Sequence, residues 1–117
     1  MNYLSDIKIV DNVFVKMMVV SNIGGKIEGH AHTFDHITLL ARGRVVMRAN
    51  GIEQEHIAPK LIVTPKGVTH EFEALDIPSV LCCIHAIRDG ETLDDIAAQT
   101  ISAEEADSLM QQYPLTA

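Results

Sequence analysis

An all-β domain is what this chain predicts, and three observations carry that expectation. Short apolar runs recur along most of the sequence, they are rich in Val and Ile, and turn-forming residues separate them at close spacing. Branched side chains fit a pleated, half-buried surface better than a helix, and closely spaced short strands suggest a sandwich or barrel. With 117 residues, 47% of them apolar, the chain suits one domain with a core of its own. We read a single domain over 1–117, with a barrel over about 7–87 and a tail over about 90–114.

Taken in order, the expected strands are 7–10, 13–22, 26–30, 36–40, 44–49, 60–64, 70–75 and 79–87. Asp11-Asn12, Gly24-Gly25, Arg42-Gly43, Asn50-Gly51, Pro65-Lys66-Gly67 and Asp76-Ile77-Pro78 supply the reversals between them. Residues 53–56 are a polar stretch outside the expected strands, with His56 in solvent. The tail carries a short helical signal. Ser102 suits the N-cap and Glu105 its third helical position, then Ala106, Leu109, Met110 and Tyr113 follow at helical spacing before Pro114.

Charge excludes several classes of partner. A formal charge of −7 is repelled by a phosphate backbone, so nucleic acid is not an expected ligand. No run approaches the roughly 20 apolar residues of a membrane helix, and residues 1–11 lack the pattern of a leader, so a cytoplasmic protein without membrane contact is expected. Cys82 and Cys83 are adjacent and read as small apolar strand residues, of which alternation turns one inward.

The histidines carry the chemistry. His30 and His32 alternate onto one face of an extended segment, and His36 keeps the same parity. A fourth, His70, follows the Pro65-Lys66-Gly67 turn at the start of a strand. Neutral imidazoles gathered this way are good ligands for Fe, Ni, Mn, Cu or Zn. One divalent transition metal held by His30, His32, His36 and His70 is therefore expected.

The same residues give a family resemblance. Gly24, His30, His32, His36 and Gly43 match the spacing of the first cupin motif, G-x5-H-x-H-x(3,4)-E-x6-G; Pro65, Gly67 and His70 match the core of the second, P-x-G-x2-H. The match covers about 24–74 and departs at three positions. His36 stands where the motif has Glu, Pro59 where the second motif opens with Gly, and Ala74 where it ends in Asn. The resemblance implies a double-stranded β-helix, or jelly-roll barrel, with a metal in its interior and homodimers as a common assembly. Edge-strand pairing with help from the apolar run 13–20 is the expected form of that dimer.

A shell of four neutral ligands leaves the ion its full charge, which favours a small organic anion as substrate. By parity Thr38, Leu40, Met47, Phe72 and one of Val45 and Val46 line the cavity, while Asp35, Glu71 and Glu73 point away. Glu28 and His85 are the candidate acid–base groups. A dioxygenase-like metal enzyme is the first functional reading. The alternatives are a non-redox isomerase or lyase acting on a sugar or keto acid, and a non-catalytic small-molecule binding or sensing module.

Overall fold

The computed structural model describes residues 3–28 and 35–91. Nine strands make up its regular structure: β1 (Leu4–Val10), β2 (Val13–Val20), β3 (Lys26–Glu28), β4 (His36–Arg42), β5 (Arg44–Ala49), β6 (Ile52–Ile57), β7 (Lys60–Thr64), β8 (His70–Ala74) and β9 (Ser79–Ala86). They form a five-stranded sheet in the order β1-β2-β9-β4-β7 and a four-stranded sheet in the order β3-β8-β5-β6. All the pairings are antiparallel. The described residues contain no helix, and none long and apolar enough to cross a membrane.

Alternation along each strand sorts the side chains between the interior and the two outer faces. Phe14, Met18 and Val20 of β2, Leu40 of β4, Ile62 of β7 and Leu81 of β9 fill one wall of the core. Ile27, Val45, Met47, Phe72 and Ala74 fill the other. Of the two candidates at that point of β5, Val45 joins this core cluster. The adjacent cysteines divide as alternation requires. Cys83 packs against the core, where burial pushes its thiol up to about 11, and Cys82 takes the opposite face of β9.

The outer faces differ in character. On the four-stranded sheet Arg48 bridges Glu53, Glu71 and Glu73, and Arg44 bridges Glu55 and Asp76. Glu71 and Glu73 thus point away from the interior, as parity requires. The outer face of the five-stranded sheet instead exposes Met17, Ile37, Leu61, Val63 and Ile84.

Three sequence expectations need correction. The polar stretch 53–56 is not outside the strands but forms most of β6, an edge strand of the four-stranded sheet. An edge strand keeps much of its surface in water, so Glu53, Gln54 and Glu55 stay exposed and the apolar alternation is hidden. His56 consequently faces inward and is buried, not solvated. The run 13–20 is also no edge, because β2 is paired on both sides by β1 and β9. It could meet a second copy only through its outward face. The helical tail, together with residues 29–34, lies outside the described residues.

Two turns show why particular residues stand where they do. Asn50 and Gly51 both adopt positive φ, 53° and 73°, which is the two-residue reversal whose twist suits an antiparallel hairpin. Gly43 joins β4 to β5 at φ 91° and lies against the chain at the start of β9. A Cβ there would collide with the Ser79 side chain and come within 2.9 Å of the Pro78 carbonyl oxygen. Gly43→Ala should therefore combine left-handed strain with overpacking, a loss of about 2–4 kcal/mol. Thermal unfolding should show a midpoint lowered by roughly 8 °C or more; an unchanged midpoint would contradict this reading of the turn.

Candidate functional site

The antiparallel registers bring the inward histidines together. His36 opens β4 in the five-stranded sheet, opposite Thr64 of β7. Ile37 stands opposite Ile84, so one further step along the same pairing brings His85 of β9 beside His36. His70 opens β8 in the other sheet and faces His36 across the interior, with ring centroids 5.5 Å apart. Thirty-odd residues of sequence separate these two rings, and only the closure of one sheet over the other joins them.

The loops ahead of the two strands are tied to each other. Asp35 Oδ1 accepts the backbone N–H of Lys66 at 2.9 Å, joining the approach to His36 with the turn that delivers His70. In that turn Gly67 has φ 78°, which lets Pro65-Lys66-Gly67 reverse the chain tightly. Asp35 thus has a structural partner outside the cavity, in agreement with its parity.

Hydrogen bonding orients each ring. His70 Nδ1 lies 3.3 Å from the Val68 carbonyl oxygen, which can only accept, so the ring proton sits there and Nε2 keeps its lone pair. Thr38 Oγ1 lies 3.4 Å from His36 Nε2 and 3.6 Å from Cys83 Sγ. Burial, reinforced by the neighbouring His70 and His85, pulls the His36 imidazole down to about 4. At neutral pH it is therefore uncharged, the form that can ligate.

His85 is buried beside this pair. Its Nε2 stands 3.3 Å from each carboxylate oxygen of Glu91, which also accepts from the Arg88 backbone N–H at 2.7 Å and from Arg88 Nε at 3.1 Å. The bond from the Arg88 backbone is the largest influence holding the Glu91 carboxyl below its usual range. A surface cavity of about 470 Å³ opens beside His70, lined also by Arg48, Asn50, Thr69 and Glu71.

Thr38, Leu40, Met47 and Phe72 are all buried, and Leu40, Met47 and Phe72 pack in the hydrophobic core cluster. The rings of Phe72 and His70 meet edge to face, 5.8 Å between centroids and 78° between planes. Glu28 ends β3 opposite Glu71 in register, and Glu71 is an outward position. The side chain of Glu28 lies outside the described residues. His30 and His32 do also. Among the described residues no three His, Cys, Asp or Glu side chains stand together as an ion would require.

Sequence reasoning passed over three polar residues of this interior. Thr64 Oγ1 is buried, opposite His36, and has no hydrogen-bond partner among the described residues. Lys16 lies inward on β2, opposite Cys83, and donates to Tyr3 Oη at 3.3 Å. Glu91 follows the last strand. Thr64 and Lys16 share parity with Ile62 and Phe14 and could have been found from alternation; nothing local marks Glu91.

No family model and no curated protein matches the chain. Solved structures do. A cupin superfamily protein from Desulfitobacterium hafniense DCB-2 superposes with a TM-score of 0.64 at 15% identity, covering 74% of this chain and 78% of its own. KdgF from Halomonas sp. gives 0.65 at 16% identity, over 76% and 82% of the two chains. A cupin 2 conserved barrel domain protein from Salinispora arenicola CNS-205 gives 0.63 at 14% identity, over 96% and 86%. At these identities the likeness concerns architecture: the chain has the double-stranded β-helix fold of the small cupins.

Proposed function

We propose that this barrel holds one divalent transition metal through His30, His32, His36 and His70 and is a metal-dependent, dioxygenase-like enzyme for a small organic anion. One observation carries the reading: His36 and His70 reach across from opposite sheets to within 5.5 Å, centroid to centroid. Two imidazoles bound to one ion at about 2.1 Å, at roughly tetrahedral angle, would have centroids about 5.3 Å apart. The buried, unpartnered Thr64 hydroxyl opposite His36 supports it as well, because a polar atom left there fits a bound ligand or water better than a dry core.

The metal, when bound, would supply Lewis acidity and open coordination positions for an anionic substrate. The rest is the work of the chain. Val68 and Thr38 orient the rings of His70 and His36. Leu40 and Phe72 keep the interior apolar, and Lys16 places a cation among the inward groups of the same sheet. His85 is buried and meets the half-buried carboxylate of Glu91, a contact across which a proton can be held and passed on.

That pair is the specific observation behind a second reading, a non-redox isomerase or lyase. Proton transfer between two carbon positions, or away from one, needs such a group and no oxygen. A barrel that only binds or senses its ligand is the third reading.

Elemental analysis of chelator-free protein should find about one ion per chain in the wild type and none in the His36→Ala/His70→Ala variant, provided its far-UV spectrum is unchanged. Metal retained by that folded variant would overturn the assignment. Protons compete with the ion for imidazole, so bound metal should also be released on acidification and be gone once pH falls below about 4, where the His36 ring itself takes a proton; content unchanged there would argue against a histidine site.

Turnover by the metal-loaded protein on a panel of enolate- and keto acid-like anions separates the readings. The dioxygenase-like reading expects oxygen uptake in step with substrate loss. Equal anaerobic turnover, lost in His85→Gln while metal content stays, would favour the non-redox enzyme. Saturable binding with the ligand recovered intact would favour the binding module.

A further inference from the structure

A second cavity lies at the seam between the two sheets, beside the histidine centre. β6 and β7 follow each other in the chain yet form edges of different sheets. Between them is a space of about 350 Å³, lined mainly by Met47, Ile52, His56, Leu61, Ile62 and Val68, with Gln54 and Asn50 as further polar groups. Its size lies near the lower end of the range for small-molecule pockets, roughly 300–1,000 Å³, enough for a molecule of one ring.

His56 is the unusual member of this lining. Its side chain is 7% exposed, and Nε2 is buried with no hydrogen-bond partner among the described residues. A buried polar atom without a partner costs stability, and an apolar residue of similar size would avoid that cost. Burial, and secondarily Lys60, hold the imidazole below its ordinary range, so the ring is neutral. A neutral imidazole nitrogen donates in one tautomer and accepts in the other. A hydroxyl is the small group that satisfies either form, since it does both.

The seam borders the His36–His70 centre and shares Asn50 with the cavity beside His70, but its polar group stands elsewhere. In the four-stranded sheet His56 pairs with Val45, whereas His70 pairs with Ala49, two inward positions further along β5. Ile52 and Leu61 of this lining stand exposed, 68% and 63%.

We propose that this seam binds a small, uncharged, mostly apolar alcohol or phenol, whose ring packs on Met47, Ile62 and Val68 and whose hydroxyl hydrogen-bonds His56 Nε2. The site does not depend on the metal assignment.

The test uses protein with ¹⁵N-labelled histidine rings, titrated with p-cresol and, in parallel, with toluene, which has the same ring and methyl group but no hydroxyl. The expected result is a saturable p-cresol shift of the His56 Nε2 resonance and of β6 and β7 amides. Affinity for p-cresol should exceed that for toluene by about threefold to tenfold, the worth of one neutral hydrogen bond. In His56→Leu the preference should vanish. No saturable shift at the solubility limit, equal affinity for the two probes, or p-cresol preference persisting in folded His56→Leu would each overturn the proposal. The comparison of probes on the wild type decides the matter even where the variant does not fold. The same shifts with and without added zinc keep this result separate from the fate of the metal reading.

Discussion

Everything at the centre of this molecule depends on one constraint: two antiparallel sheets must share a single interior. Side chains from the two inner faces fill a space about 10 Å across. Residues that open strands in different sheets are thereby brought face to face at one end of it. His36 and His70 are such residues, and so the fold that buries Leu40 and Phe72 also sets two imidazoles 5.5 Å apart. Packing and chemistry use the same registers. A slip of one residue in β4 would expose Leu40 and turn His36 and Thr38 outward together.

The supports around the histidines follow from that arrangement. Asp35 and Lys66 join the two loops from outside, while Thr38 and Val68 fix ring orientation from within. Burial keeps His36 neutral, as a ligand must be, to a lower pH than an ordinary surface histidine would stay so. His85 reaches the same region from a third strand and brings Glu91 with it. The interior is thus apolar at its middle and polar toward one end, where the surface cavity beside His70 opens.

The seam between β6 and β7 is a consequence of the same design. Two sheets that close over a core leave edges, and here two of them run side by side without pairing. The apolar lining and the unpartnered imidazole of His56 give that gap a chemical character of its own. The outer faces are sorted as well: a network of arginines and carboxylates covers one sheet, and exposed aliphatic side chains cover the other.

Much of this was legible in the residues themselves. Strong alternation and Gly, Asn and Pro turns marked eight of the nine strands, because period-two burial leaves a direct trace in sequence. The inward positions of Thr38, Leu40, Met47 and Phe72, and the outward ones of Glu71 and Glu73, followed from parity alone. The motif spacing pointed to His36 and His70 as partners, since strand lengths and tight turns constrain where each can lie. What parity could not supply was decided by tertiary structure. β6 escapes the strand pattern because an edge strand in water needs no apolar face, although the Asn50-Gly51 turn before it signals a hairpin. The burial of His56, the pairing of β2 on both sides and the orphaned Thr64 hydroxyl all depend on which strands become neighbours. That choice rests on long-range pairing between distant segments, and no local pattern of residues encodes it.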